Sequence, residues 1–210
     1  MRIVQHRLYS DAGESAPFVK SPRVGKVLRP RFVVIHFTAG QSAKAAVPWL
    51  TRKSPGPSAH LVIGRDASVT QLVPFDRIAF HAGPSQWGEI RGLDPRSFGI
   101  ELDNAGPIRK IGGKWTSTFK KAYPPQDVLE APHKNGGPYR AWHKYTATQI
   151  DAVVEVCRVL ADNYPIVAIL GHDDISPGRK WDPGPAFPIE GVNSWVFCHG
   201  HTAAPQLGRQ

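Results

Sequence analysis

The sequence predicts a single α/β domain with a central mixed β-sheet flanked by helices. Three observations support this fold class. Short apolar runs rich in β-branched residues recur along the chain, a long amphipathic helix precedes the last of them, and 210 residues are enough to bury one sizeable core. The 20 glycines and 20 prolines are spread along the chain, which indicates many loops within one folded unit.

The first half of the chain predicts a strand, a helix and a pair of strands in that order. Residues 31–37, RFVVIHF, are a β-branched run that ends at TAG and predict a buried strand. A short helix follows, with Ser42 as its N-cap and with Pro48 either in its first turns or bending it. Residues 59–64 and 68–73 predict two further strands joined by a turn.

The second half predicts a strand, a helix and a last strand. The run SFGIEL predicts the first of these. In TATQIDAVVEVCRVLADNY the apolar residues recur at helical spacing, so this segment predicts an amphipathic helix, which Pro165 stops. The run PIVAILGH predicts the last strand. Strands separated by helices are typical of an α/β domain.

The outlying segments set the expected organisation of the chain. Residues 1–30 are predicted to be an N-terminal extension, residues 31–188 the domain itself, and residues 189–210 a C-terminal tail. Within the domain, residues 103–145 are rich in Pro, Gly and Lys and show no clear period. They predict a long excursion with a hairpin near GGKWTSTF.

Charge and composition exclude several classes of protein. The 26 Lys and Arg residues exceed the 17 Asp and Glu residues, and the resulting net charge of +9 favours contact with polyanions such as cell-envelope polymers. No helix carries a basic stripe and no nucleic-acid motif occurs, so a nucleic-acid partner is not expected. Cys157 and Cys198 are too few for a disulfide framework or a thiolate metal cluster.

The N-terminal sequence predicts the compartment. Charged residues interrupt the apolar ones in MRIVQHRLYSDAGESAPF, which is unlike the apolar region of a signal peptide. No stretch reaches the length of a membrane span. The expectation is a chain that is cytoplasmic as synthesised, unless something other than a signal peptide releases it.

Two predicted strands end in histidine, at His36 and at His172. If these strands are neighbours in one sheet, both imidazoles emerge at one edge of it. Asp182 follows in a loop that several prolines stiffen. Two histidines and one carboxylate suit a catalytic zinc, because three protein ligands leave a position for water. For each histidine taken separately, a hydrogen-bonded core residue is the alternative.

Two further residues could take part in such chemistry. Glu101 stands between Ile100 and Leu102 in an apolar strand, where burial costs free energy unless the carboxylate is paired or has a task such as accepting a proton. A structural salt bridge is the alternative for it. Lys180 could stabilise an oxyanion near the metal, although a lysine alone is usually solvated.

Four segments together resemble a known family. They are VVIHFTAG, SAHLVIGRDASVTQLVPFDRIAFHAG, SFGIELDNAG and GHDDISPGRKWDPGPAFP, in this order. Their order and style resemble the N-acetylmuramoyl-L-alanine amidase family of the AmpD type, whose fold is shared with phage lysozyme-like amidases and peptidoglycan recognition proteins. The resemblance runs through residues 31–188, and its closing segment is the most specific part.

This resemblance implies a complete set of roles. It implies zinc held by His36, His172 and Asp182. It makes Glu101 the general base that acts on water and Lys180 the group that steadies the tetrahedral intermediate. The implied reaction is hydrolysis of the amide that joins N-acetylmuramic acid to L-alanine, in peptidoglycan or in its muropeptide fragments.

Other polar residues receive less definite expectations. The resemblance gives His81 a substrate-binding role, and it gives His60 either such a role or a structural one. Asp173 and Asp174 directly follow His172, and either one could orient its ring; the alternative for each is a solvated carboxylate.

The biological role stays open on the sequence. A recognition protein that binds muropeptides without cutting them is the alternative from another class, and loss of a zinc ligand would favour it. As an enzyme, the protein could recycle anhydro-muropeptides in the cytoplasm or lyse the wall as a phage endolysin does. The positive charge mildly favours contact with an intact anionic wall.

Overall fold

A computed structural model of the chain describes residues 1–53 and 55–198. In this part of the chain the strands are β1 (Arg2–Val4), β2 (Arg7–Tyr9), β3 (Phe32–Phe37), β4 (Leu61–Ile63), β5 (Val69–Gln71), β6 (Gln86–Trp87), β7 (Ile90–Arg91), β8 (Ser97–Leu102), β9 (Pro107–Ile111), β10 (Lys114–Thr116), β11 (Ala122–Tyr123), β12 (Val128–Ala131), β13 (Arg140–His143) and β14 (Ala168–Gly171). The helices are α1 (Ala43–Leu50), α2 (Ala147–Asn163), α3 (His172–Ile175) and α4 (Ile189–Phe197), and two short 3₁₀ helices span Asp94–Arg96 and Pro125–Asp127.

The central sheet has five strands in the order β14-β3-β8-β4-β5. The first four strands are parallel to one another, and β5 is antiparallel to β4. The sheet is therefore mixed, and the predicted α/β fold class is confirmed. The strands that end at His36 and His172 are direct neighbours, as predicted, because Gly171 pairs with Ile35.

Strand alternation gives the central sheet two different faces. Val33 and Ile35 of β3 lie on the face that packs against α2 and α4, where they join the main apolar core with Ile100 of β8. Since successive side chains alternate across a strand, His36 and Glu101 lie on the opposite face. The buried face positions the strands, and the other face carries the polar groups.

The two predicted helices begin where their caps indicate. Ser42 accepts a hydrogen bond from the Ala45 amide and caps α1, which continues through Pro48. Thr146 accepts from the Gln149 amide and caps α2. The latter helix ends at Asn163, before Pro165, as its sequence predicts.

The excursion at residues 103–145 contains a sheet of its own. Five antiparallel strands lie in the order β11-β10-β9-β13-β12. The predicted hairpin near GGKWTSTF is the β9–β10 pair, in which Lys114 is opposite Ile111. The full sheet was not predicted. Its β12–β13 turn reaches the loop that follows β14, as described below.

Segments outside residues 31–188 also contribute to the main core. Leu8 and Leu28 precede residue 31 in the sequence, and Val192 and Val196 follow residue 188. All four are buried in the same cluster as residues of the central sheet. The domain boundaries at 31 and 188 stay a prediction. Among the described residues, no helix has the length and apolar character that crossing a membrane requires.

Candidate active site

The sheet brings three predicted residues to one point at the carboxyl ends of β14 and β3. His36 lies near the end of β3, and His172 is the first residue after β14. The Nδ1 atoms of these two rings are 2.9 Å apart. Each of them is also 2.9 Å from Oδ2 of Asp182. All three residues are buried, so three potential ligand atoms converge away from bulk solvent.

Hydrogen bonds on the far side of each ring show which nitrogen carries the proton. Nε2 of His172 is 3.0 Å from the carbonyl oxygen of Ala82 and 3.3 Å from the donor Nη2 of Arg179. The shorter contact, to an oxygen that can only accept, assigns the hydrogen to this nitrogen. Nε2 of His81 is 3.3 Å from the carbonyl of Ser97, so Nδ1 of His81 accepts. His36 then donates its own Nε2–H to His81 over 2.9 Å. Both Nδ1 atoms therefore present lone pairs toward Asp182.

The electrostatics of the cluster favour this neutral form of the rings. Burial lowers the pKa of His36 to about 3. Two lone pairs and a carboxylate then face one another. Such a donor set fits a divalent cation, and two imidazoles with one carboxylate suit a catalytic zinc.

Glu101 lies beside this cluster on the neighbouring strand. It is opposite His36 in the β3–β8 register. Its Oε2 atom is buried and has no hydrogen-bond partner among the described residues. Burial, with the negative charge of Asp182 second, raises the pKa of Glu101 to about 8, although Lys180 acts to lower it. The salt bridge that was the structural alternative for Glu101 does not occur in this part of the chain.

The structure places Lys180 on the loop between the two predicted ligands His172 and Asp182. Its backbone amide donates to Ser176 over 3.0 Å, and its side chain is partly buried. Its charge lowers the pKa of Glu101, so the ammonium lies within electrostatic reach of that carboxylate.

A hollow opens next to Glu101. It has a volume of about 430 Å³ and is lined by Thr38, Ala39, Gly40, Ala45, Ala46, Trp49, Leu50, Pro57 and Glu101. Trp49 is 55% exposed, so an aromatic surface faces solvent at this hollow. A concave, largely apolar space beside polar groups is the usual form of a site for a small molecule.

The other predicted histidines make contacts inside the protein. His81 links His36 to Ser97, as described above. His60 is fully buried, its Nδ1 accepts from the Gly99 amide over 3.0 Å, and its Nε2 donates to the Arg77 carbonyl over 2.9 Å. These contacts favour the structural alternative for His60. A substrate-binding role for either histidine stays a prediction.

The expectation that Asp173 or Asp174 orients the His172 ring is wrong. The Ala82 carbonyl takes that position. Asp174 accepts instead from the Gly171 amide over 2.7 Å, and Asp173 points toward the excursion. The sequence analysis also missed Arg179, which donates to the same Ala82 carbonyl over 2.8 Å and so steadies the group that orients His172. A main-chain carbonyl has no side-chain signal by which a sequence could reveal it.

Comparison with known proteins agrees with this geometry. A family model described as N-acetylmuramoyl-L-alanine amidase matches residues 26–185. The 1,6-anhydro-N-acetylmuramyl-L-alanine amidase AmpD of Escherichia coli (strain K12) is 36% identical over 132 residues, which are 62% of this chain and 53% of AmpD. The N-acetylmuramoyl-L-alanine amidase AmiD of the same strain is 29% identical over 181 residues, 80% of this chain and 55% of AmiD. This chain thus spans little more than half of the length of these two relatives.

Among solved structures, a selenomethionine derivative of AmpD superposes with a TM-score of 0.63 at 25% identity, covering 93% of this chain and 99% of that one. The matched residues 26–185 are most of the chain and include every residue of the cluster described above. The chain therefore belongs to the N-acetylmuramoyl-L-alanine amidase family.

Proposed function

We propose that this protein hydrolyses the amide between N-acetylmuramic acid and L-alanine, in peptidoglycan or its muropeptide fragments, with a bound zinc ion. The observation that carries the proposal is the convergence of three ligand atoms, from His36, His172 and Asp182, beside Glu101, whose Oε2 has no hydrogen-bond partner among the described residues. The relatives support the substrate class. AmiD from E. coli was solved in complex with its substrate anhydro-N-acetylmuramic acid-L-Ala-D-gamma-Glu-L-Lys, and it superposes on this chain with a TM-score of 0.60 at 28% identity.

The metal would be held by His36, His172 and Asp182. When bound, Zn²⁺ supplies a Lewis acid that polarises an amide carbonyl and lowers the pKa of water toward neutrality. The chain prepares this site before the metal arrives, because the Ala82 and His81 contacts already leave both Nδ1 atoms free of protons.

Glu101 acts as the proton carrier of the reaction. Water attacks the carbonyl carbon of the lactyl group, and the Glu101 carboxylate accepts the proton that this water loses. When the C–N bond breaks, Glu101 gives the proton to the departing amine of L-alanine. The products are a free carboxylic acid on the muramic acid and a free stem peptide. The absence of a hydrogen-bond partner for Oε2 among the described residues leaves this atom available for both transfers.

Lys180 stabilises the developing oxyanion, and the hollow beside Glu101 binds part of the substrate. The Lys180 ammonium offers a fixed positive charge to the oxyanion that develops on the carbonyl oxygen. The hollow of about 430 Å³, with Trp49 at its wall, offers room for part of the sugar or the stem peptide. The cytoplasmic location expected from the N-terminal sequence stays a prediction, as do the substrate contacts of His81 and His60.

Mass spectrometry of the reaction products tests this function. The purified protein is incubated with intact peptidoglycan sacculi and, separately, with a soluble anhydro-muropeptide, each with and without a chelator. We expect free stem peptide only when metal is present, and the preferred substrate distinguishes wall lysis from recycling. Absence of cleavage by protein that demonstrably contains zinc would overturn the proposal in favour of a recognition protein.

A further inference from the structure

A turn of the excursion reaches across to the loop that carries two of the proposed ligands. His133, Lys134 and Asn135 lie between β12 and β13. Nζ of Lys134 forms ion pairs with Oδ1 of Asp173 at 2.8 Å and with Oδ1 of Asp174 at 2.7 Å. Asn135 donates its side-chain amide to the Asp173 carbonyl over 2.7 Å. His133 also contacts the Asp173 side chain. Three consecutive residues of the turn thus bond to the two residues that follow His172.

Asp173 connects the two proposed ligands through its own backbone. It directly follows His172, and its amide donates to the carbonyl of Asp182 over 2.8 Å. Its side chain is 2% exposed, so the carboxylate depends on partners from the protein. Those partners are the residues His133 and Lys134 of the excursion.

One N–H group of His133 contacts the residue next to each proposed ligand. Its Nδ1 accepts from the Asn135 amide over 3.1 Å, so in the neutral ring Nε2 carries the hydrogen. That Nε2 is 3.0 Å from Oδ2 of Asp173 and 3.3 Å from the carbonyl of Trp181, the residue before Asp182. The ring is held between Trp142 and Trp181, with centroids 5.6 Å and 5.7 Å away.

The loop between the proposed ligands has little regular structure to fix their separation. His172 is anchored by β14, but α3 ends at Ile175 and the chain then turns at Gly178, which has a φ of 77°. We propose that His133, supported by Lys134, is a positioning residue that fixes Asp182 relative to His172 and thereby sets the affinity and geometry of the metal site. This inference rests on the proposed function, and it assigns a task to the excursion.

Metal affinity and metal geometry test the inference separately from activity. In the whole 210-residue chain, Zn²⁺ affinity is measured by competition with a chelating indicator, and the visible spectrum of the Co²⁺-loaded protein reports ligand geometry. We expect His133→Ala to weaken Zn²⁺ binding by about 10- to 100-fold and to change the Co²⁺ spectrum. His133→Gln, whose amide N–H can replace the Nε2–H, should recover most of both properties.

Tyr139→Phe is the matched control. The hydroxyl of Tyr139, the residue before β13, donates to the Glu130 carbonyl of β12 over 2.7 Å. Its loss perturbs the hairpin and leaves the His133 contacts in place. We expect this variant to match the parent protein in Zn²⁺ affinity and in Co²⁺ spectrum.

A folded His133→Ala protein with parental Zn²⁺ affinity and Co²⁺ spectrum would overturn the inference. If His133→Ala does not fold, Lys134→Ala takes its place, because the Lys134 side chain is 41% exposed and its removal leaves no cavity in the core. Unchanged metal binding in that variant overturns the inference equally. If the parent protein binds zinc and releases stem peptide but the variants are unaffected, only this inference is contradicted. If the parent protein has no zinc affinity, the proposed function is contradicted as well.

Discussion

His36 and Glu101 are direct partners across the parallel strands β3 and β8, and their side chains lie on the same face of the sheet. This relationship places a carboxylate without a described hydrogen-bond partner next to the three converging ligand atoms. The sheet therefore separates two tasks between neighbouring strands: one strand offers a ligand, and the other offers a proton acceptor.

Replacing Glu101 by Gln removes the proton acceptor and keeps the shape of the side chain. We expect Glu101→Gln to bind zinc as the parent does and to lose turnover by about 10²- to 10⁴-fold. Release of stem peptide and the zinc content of the protein are measured on the same sample. Glu14→Gln is the control, because Glu14 is exposed on the N-terminal segment, and it should match the parent. Near-parental turnover in Glu101→Gln would remove this residue from the mechanism.

The raised pKa of Glu101 also makes the stability of the metal-free protein depend on pH. Burial, with the charge of Asp182 second, raises this pKa from 4.5 to about 8. Between these values the folded protein retains a proton that the unfolded chain has lost. The free energy of unfolding therefore falls as pH rises through this interval and levels off above it.

Glu101→Gln should flatten this dependence in chelator-treated protein. From about pH 6.5 to about pH 9, we expect the parent to lose about 1–3 kcal/mol more stability than the variant, because the titrations of all other groups are common to the two proteins. Urea unfolding at several pH values within this window measures the difference. Parallel pH profiles for the two proteins would show that burial does not hold the Glu101 proton.

Asp182→Asn removes the negative charge from the metal cluster at constant size. Asn offers a weaker, neutral oxygen, and two imidazoles rarely hold a catalytic zinc without a third ligand. We expect zinc affinity to fall beyond the roughly 10- to 100-fold loss that is typical of residues that only orient a ligand. Chelator competition measures it. Asp151→Asn, an exposed change on α2, is the control, and equal affinities in both variants would exclude Asp182 as a ligand.

Much of the site could be predicted because its residues stand in regular positions. His36 and His172 stand at the ends of two apolar runs, so the sequence predicted that both emerge at one sheet edge if their strands are neighbours. Glu101 was noticed as a carboxylate inside an apolar strand, but its place opposite His36 is a finding of the structure. Asp182 has no such regular position; its loop between prolines suggested it as a third ligand, and the resemblance of GHDDISPGRKWDPGPAFP to the amidase family supported that role.

Other parts could not be predicted, for physical reasons. The strands of the excursion are short, from the two residues of β11 to the five of β9, so no hydrophobic period develops in them. His133 bonds to Asp173 across 40 residues of sequence, and nothing local marks that pairing. The groups that orient the rings of His172 and His81 are main-chain carbonyls, which any residue supplies.

Gly184 tests how closely the loop after Asp182 is packed. Its φ is +72°, and an added Cβ would lie 3.0 Å from two ring carbons of the buried Trp142. Gly184→Ala should therefore combine backbone strain with a steric clash. We expect a loss of about 2–4 kcal/mol in the free energy of unfolding, together with weaker zinc binding, because Asp182 lies in the displaced segment.

Gly178→Ala separates the two causes. Gly178 lies on the loop between His172 and Asp182 with a φ of +77°, but an added Cβ there meets no atom within 4 Å, so only the backbone strain remains. We expect a loss of about 1–2 kcal/mol and parental zinc affinity for this variant. Urea unfolding and chelator competition on both variants give the comparison. Equal losses in the two proteins would show that Trp142 yields to the added methyl group, and that its packing does not hold the Asp182 segment in place.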